Sequence, residues 1–320
     1  SEESNKVWKE NSRRMEQRLV EEYEVIENHI LNHMKQIFTV PEHALYKTVL
    51  EFSQEFIKKR SYKVGMSGLE CIQMILEGKE DVKIVMSELA DVVLLFWGFV
   101  SENRKIIRLF EKSICEHTLN YMMKMGVHNT FIGLYSNTPE IQKRNAKINE
   151  NLHLFRMNTT TLKHLGTSKY FQLGEEENDR VSKAFSTMEG NNPLKRTFPK
   201  KKYSKLIEMM HYFSDFLTVR EKLMVIKECH EQIPESAIKY WKEGGMLIGI
   251  QTLSADDLVP IFCYLVIWSG IENIFSHIEF VMDFINEREE NSEEGYVFTT
   301  LQLVCEHLLN LDWDVMLIEY

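Results

Sequence analysis

Two adjacent carboxylates, Asp256 and Asp257, stand at the start of a strongly apolar stretch, LSADDLVPIFCYLVIWSG at residues 253–270. Ser254 is a good N-cap for a helix that begins here, because its hydroxyl oxygen can accept a hydrogen bond from a first-turn amide. Acids in a first turn are also favoured by the helix dipole, so helix capping alone is one interpretation. Because one cap and one acid would suffice, the second acid favours an additional role at the protein surface.

A proline four residues after the first acid adds to this pattern. Pro260 cannot donate a hydrogen bond to the Asp256 carbonyl oxygen, and its ring crowds that oxygen. The spacing therefore predicts that the first turn is displaced from the helix axis and that the acidic tip is prominent.

A second stretch, EEGYVFTTL at 293–301, carries a phenol and a hydroxyl at helical spacing. Gly295 predicts a flexible turn before a helix, and Tyr296 and Thr299 then share one helix face. If this helix packs beside the helix of Asp256, an acid, a proline ring, a phenol and a hydroxyl surround one apolar surface. The alternatives are that Tyr296 is a core-edge aromatic and that Thr299 bonds the carbonyl four residues before it.

The elements that hold these residues are all predicted to be helices. From Val7 to Phe38, apolar residues recur mostly at three- and four-residue steps, which is typical of one long amphipathic helix that ends before Pro41. This helix is expected to pack on its neighbours or, alternatively, to bind a partner or a second copy. No alternating strand pattern is visible, so the predicted class is all-α. Further helices are expected at about 42–60, 67–76, 81–100, 104–124, from Pro139, 203–230, 235–242, 255–269, 271–286 and 296–311.

Four helices with short connections predict an antiparallel bundle over residues 1–102. Residues 171–205 are polar, contain Gly and Pro, and predict a surface loop. The basic residues of this loop are interpreted as solvated, with contact to an acidic partner or a lipid headgroup as the alternative. They are Lys195, Arg196, Lys200, Lys201, Lys202 and Lys205.

Composition excludes several classes of function. The net charge of −10 argues against a nucleic-acid binder and against unaided adhesion to an anionic membrane. The longest apolar run, VVLLFWGFV at 92–100, is too short to cross a bilayer as a helix. Five dispersed cysteines fit a reducing, cytoplasmic compartment, and the first residue, Ser1, indicates a fragment or a processed chain. His29 and His33 are one turn apart, but no third ligand or Glu in the metalloprotease pattern accompanies them, so neither a metal site nor a cofactor is predicted.

The two stretches together resemble the VPS-nine (vacuolar protein sorting nine) domain. The resemblance is strong over about 254–311 and extends more weakly to about 104, where LFEKSICEHTLNYM and EIQKRNAKINENLHLF look like the family's opening helices. It implies a layered helical exchange domain over residues 103–320, with the bundle at 1–102 packed on it. Members of this family are guanine-nucleotide exchange factors for Rab GTPases of the Rab-five subfamily.

The resemblance carries roles to four residues. Asp256 matches the family's acidic finger, Pro260 the proline of the groove floor, and Tyr296 and Thr299 the pair that contacts the switch regions of the GTPase. The chain departs from the family at Val297, where many members have an aromatic, and at Thr300, where an asparagine is usual. These departures bear on the choice of Rab.

The implied function is accelerated GDP release from a Rab-five subfamily GTPase in endosomal trafficking, without covalent chemistry. The implied partner is that GTPase in its nucleotide-free or GDP-bound form. The implied location is cytoplasmic, with indirect recruitment to early endosomes. The alternative is a Rab-binding scaffold of endosomal membranes that lacks exchange activity. A metal hydrolase, based on His29 and His33 alone, is a third hypothesis.

Overall fold

The computed structural model describes Val25, Asn28 and residues 31–96, 104–173, 202–243 and 251–311. Every regular element within these ranges is a helix, which confirms the predicted all-α class. The chain divides into two compact units, Ser1–Leu134 and Tyr135–Tyr320.

The first unit contains three long helices. They are α1 (Ala44–Arg60), α2 (Gly68–Phe96) and α3 (Arg104–Met122), and a π-helical turn (Met123–Val127) follows α3. Residues 31–39 are also helical and stop before Pro41, as predicted, whereas residues 7–24, 26, 27, 29 and 30 of the predicted long helix lie outside the described part of the chain.

The prediction of two helices at 67–76 and 81–100 is wrong, because α2 runs unbroken through Gly78. A Cβ atom at Gly78 would stand 3.1 Å from the Phe56 ring and 3.2 Å from Cδ of Arg60. The glycine therefore allows α1 to approach closely and does not end a helix. The predicted boundary at 102/103 falls between α2 and α3, which pack against each other, and it stays a prediction.

The second unit is built around two helices that pack side by side. Helix α4 (His128–Ser136) leads into this unit. The apolar α8 contacts α5, α6 and α11, and α11 in turn contacts α5 and α7. The helices are α5 (Pro139–Met157), α6 (Ser204–Asp215), α7 (Val219–Glu243), α8 (Ala255–Ser269), α9 (Ile274–Phe284), α10 (Glu287–Glu290) and α11 (Glu293–Asn310).

Two predicted boundaries in this unit are wrong. The predicted helix 203–230 is interrupted after Asp215, because Thr218 caps a new helix: its Oγ1 accepts the Glu221 N–H at 3.2 Å, and the Glu221 carboxylate accepts the Thr218 N–H at 3.2 Å. No stop occurs near residue 230, since α7 continues through Pro234. Of the predicted loop, residues 174–201 lie outside the described ranges; in the described part, Lys202 lies over the Tyr240 ring at 4.3 Å.

The described residues also bear on membrane crossing, metal binding and disulfide formation. No single described helix is long and apolar enough to cross a membrane, and α8 and α9 meet that test only jointly, across a bend of 119°. No cluster of three or more His, Cys, Asp or Glu suited to a metal occurs in the described ranges, and His29 lies outside them. All five cysteines are free.

Candidate functional site

Asp257, in the first turn of α8, forms hydrogen bonds within the protein. Its backbone N–H donates to Ser254 Oγ at 3.3 Å, and Ser254 Oγ donates to the Asp257 carboxylate at 3.1 Å. The other carboxylate oxygen accepts the Ser168 backbone N–H at 2.8 Å. The capping interpretation therefore holds for the second acid of the pair.

Asp256 is left available for a partner. Its side chain is exposed, and within the described part of the chain it makes neither a hydrogen bond nor an ion pair. The two acids therefore have different roles. Asp257 caps the first turn of α8, whereas Asp256 places a negative charge in solvent at the positive end of the helix dipole.

Pro260 lies in the second turn of the same helix and is half-buried. Helix α8 continues through it from Ala255 to Ser269, and most positions after it are buried. The exposed residues of α8, Ala255 and Asp256, thus lie in its first turn. The predicted displacement of the first turn from the helix axis stays a prediction.

Gly295 does not form the predicted turn before a helix, because α11 already begins at Glu293. A Cβ atom at Gly295 would stand 2.1 Å from the Glu290 carbonyl oxygen and 2.6 Å from that of Glu289. The glycine is required because α10 passes directly against this turn of α11.

Tyr296 and Thr299 both reach the surface of α11. The Tyr296 side chain is 58% exposed, so it is a surface aromatic and not a core residue. Thr299 is also exposed, and its hydroxyl donates to the Gly295 carbonyl oxygen at 3.0 Å, which is the alternative considered for it. The Thr299 oxygen still has lone pairs with which to accept a bond from a partner.

The exposed residues of α8 and α11 lie in a stretch of the chain that is similar to a known domain. Residues 203–313 match the model of the Vacuolar sorting protein 9 (VPS9) domain. The chain contains a VPS9 domain. Helices α6 to α11 all lie within the matched residues, and so do Asp256, Pro260, Tyr296 and Thr299.

Curated relatives match over part of this chain. Alsin from Rattus norvegicus, Mus musculus and Homo sapiens is in each case 29% identical over 100 residues, which is 31% of this chain. The match spans 6% of the length of each alsin.

Leu303 extends the exposed face of the VPS9 domain and was not predicted from the sequence. It lies one turn beyond Thr299 and is 59% exposed. The spacing 296, 299 and 303 is the signal that would have found it. Val297 and Thr300, the two departures from the family pattern, are buried.

The acids at the start of α11 are compensated, unlike Asp256. Lys227 of α7 lies 3.0 Å from Glu294 and 3.4 Å from Glu293. A hydrogen bond from Ser292, followed by the one from Lys227, holds the pKa of Glu294 at about 2. Asp256 on α8 therefore lacks the pairing, within the described residues, that the acids at the start of α11 have.

Proposed function

We propose that this chain is a guanine-nucleotide exchange factor that accelerates GDP release from a small GTPase of the Rab-five subfamily. A VPS9 domain implies exchange activity on a Rab GTPase. The observation that supports the assignment of residues is the exposed Asp256 at the tip of α8, whose side chain has no hydrogen bond or ion pair among the described residues. It lies beside a helix whose Tyr296 and Thr299 are exposed.

The chemistry of a carboxylate suits nucleotide release. A GTPase holds its nucleotide through Mg²⁺, a P-loop lysine and ordered switch segments. Inserted toward the phosphates, the Asp256 carboxylate would compete for the lysine, displace the metal and repel phosphate. Two unit charges about 4 Å apart interact by about 4 kcal/mol at an effective dielectric of about 20, and 4 kcal/mol corresponds to roughly a thousandfold in rate.

The rest of the surface would hold the displaced switch segments. The Pro260 ring, the Tyr296 ring and the Leu303 side chain offer apolar contact along α8 and α11. Binding there favours the nucleotide-free GTPase, and by linkage it weakens nucleotide binding by the same factor. No covalent bond forms or breaks in this process.

The domain bounds and the cellular location of this activity are part of the same proposal. We assign the exchange domain to residues 103–320 and the helical bundle to residues 1–102. The location would be cytoplasmic, with recruitment to early endosomes through partners. Five free cysteines support a reducing compartment.

The test compares two charge-removing substitutions at opposite ends of α8. Asp256→Asn should slow the release of fluorescent GDP from a Rab-five-type GTPase at least about tenfold, because the carboxylate charge is lost while the shape is kept. Glu272→Gln is the matched control, since Glu272 is also exposed but follows the C-terminal end of α8. It should leave the release rate unchanged.

Two results would contradict the proposal. Equal rates of GDP release with Asp256→Asn and with the unaltered chain would show that Asp256 is not the acidic finger. A chain that binds nucleotide-free GTPase but accelerates release from no member of a Rab panel would be the scaffold of the alternative hypothesis.

A further inference from the structure

A segment outside the matched domain follows α8 along its length. Residues 160–173, called the strap here, follow the end of α5. Trp268 in the last turn of α8 donates from Nε1 to the Thr160 carbonyl oxygen at 3.3 Å. At the other end of α8, Asp257 accepts the Ser168 backbone N–H at 2.8 Å.

The strap is itself firmly held. The Tyr170 carbonyl oxygen accepts from Nε1 of Trp241 in α7 at 2.9 Å, and the Phe171 carbonyl oxygen accepts from the Tyr203 hydroxyl at 3.0 Å. Leu162 and Phe171 are fully buried. A bond from Asp257 to this segment therefore ties the tip of α8 to a fixed part of the fold.

We propose that Asp257 is a positioning residue, which sets the direction of the Asp256 side chain by holding the first turn of α8 against the strap. This inference rests on the proposed function. The Asp256 side chain makes no hydrogen bond or ion pair with the described residues, so its direction follows from the backbone of the first turn. First turns of helices fray unless their free amides find partners. Asp257 closes that turn through Ser254 and anchors it through Ser168.

This role requires an acceptor at residue 257 and not a charge there. The bond to Ser168 uses one carboxylate oxygen, and an asparagine side chain presents an oxygen at the same place. A second acidic finger would need the charge instead. Asp257→Asn therefore distinguishes a positioning role from a second acidic finger, because it keeps the acceptor oxygen and removes the charge.

The experiment measures GDP release and amide hydrogen exchange on the full chain. Asp257→Ala should lower the maximal release rate about tenfold with little change in the half-saturating concentration, since the apolar contact surface is intact. Asp257→Asn should restore most of that rate. The Ser168 amide should be protected from exchange in the unaltered chain and in Asp257→Asn, and lose protection in Asp257→Ala.

Ser168→Ala is the matched control, because only the backbone N–H of this residue contacts Asp257. It should release GDP at the unaltered rate. Should Asp257→Ala fail to fold, Asp257→Asn is compared with Asp256→Asn: a much faster rate for Asp257→Asn supports positioning.

Three outcomes overturn the inference. The first is an unaltered release rate in Asp257→Ala with the Ser168 amide unprotected. The second is a Ser168 amide that stays protected in that variant. The third is an equal loss of rate in Asp257→Asn and Asp256→Asn. If the unaltered chain releases GDP from no Rab, the proposed function fails instead, and the Ser168 amide still reports whether Asp257 holds the strap.

Discussion

One position along the first turn of α8 separates a carboxylate that caps the helix from one that is exposed to solvent. Asp257 is the third residue of α8, and a side chain there reaches back to the N-cap, as in a capping box. Asp256 is the second residue, and its side chain leaves the helix for solvent. The same residue type thus serves stability at one position and, on our proposal, nucleotide release at the other.

Gly295 is the residue whose replacement the structure forbids most clearly. We expect Gly295→Ala to lower the free energy of unfolding by about 1–3 kcal/mol, because its Cβ would overlap two carbonyl oxygens of α10 and force the helices apart. Gly133→Ala in α4 is the control: its Cβ would meet only the Tyr62 Cβ at 4.0 Å, and alanine favours a helix. Urea unfolding followed by circular dichroism checks both. Equal stability of Gly295→Ala and the unaltered chain would contradict the overlap.

The spacing of single residues predicts which side chains share a helix face, but not what lies opposite them. Tyr296 and Thr299 share the exposed face that their spacing predicts. The reason for Gly295 was wrong, because it depends on α10, which comes close only after folding. The same holds for the partner of Asp257, since Ser168 lies far away in the sequence.

At the scale of elements, helix type was predicted well and helix ends less well. The apolar periodicity of α8 gave its bounds, 255–269, correctly. Helix ends predicted near Gly78 and Pro234 were wrong. Both residues lie inside long helices, because tertiary packing offsets the local cost of each. The break after Asp215 carries a local signal, the pair Thr218 and Glu221, which the apolar pattern obscured.

A buried lysine joins three helices of the second unit. Lys222 in α7 is fully buried, and its Nζ donates to the Phe213 carbonyl oxygen in α6 at 2.6 Å. Its Nζ also lies 3.1 Å from Nδ1 of His277 in α9. Burial lowers the pKa of Lys222 to about 7 from its ordinary value of 10.5, although Asp215 and Glu221 oppose this shift.

This shift makes stability depend on pH. Between pH 7 and pH 10.5 the unfolded chain binds a proton at Lys222 that the folded chain has released. The free energy of unfolding should therefore rise with pH in this window, by at most about 1.4 kcal/mol per pH unit. The gain is lost progressively as pH falls from 10.5 and is gone at about pH 7. Lys222→Met, which cannot titrate, should lack this rise. Urea unfolding of both proteins from pH 6 to 9 checks it, and equal slopes would contradict the buried charge.

At the scale of the whole molecule, the site depends on more chain than the family match covers. The match begins at residue 203, whereas α5 and the strap precede it. Helix α5 packs on α11, and Asn151 of α5 donates from Nδ2 to the carbonyl oxygens of Leu308 at 2.9 Å and Leu309 at 3.1 Å. Asn145 contacts the start of α9 by accepting the Phe275 N–H at 3.0 Å.

Helices α8, α9 and α11 would therefore lose a shared neighbour in a fragment restricted to residues 203–313. We expect that fragment to unfold without cooperativity and to release GDP at the spontaneous rate, because the apolar sides of these helices would be exposed and the tip of α8 would lose the strap. A fragment of residues 128–320 keeps α4, α5 and the strap, and should unfold cooperatively and retain exchange activity. Thermal unfolding and GDP release of the two fragments and the full chain provide the comparison. Cooperative unfolding and full activity of the 203–313 fragment would show that α5 and the strap are dispensable to the site.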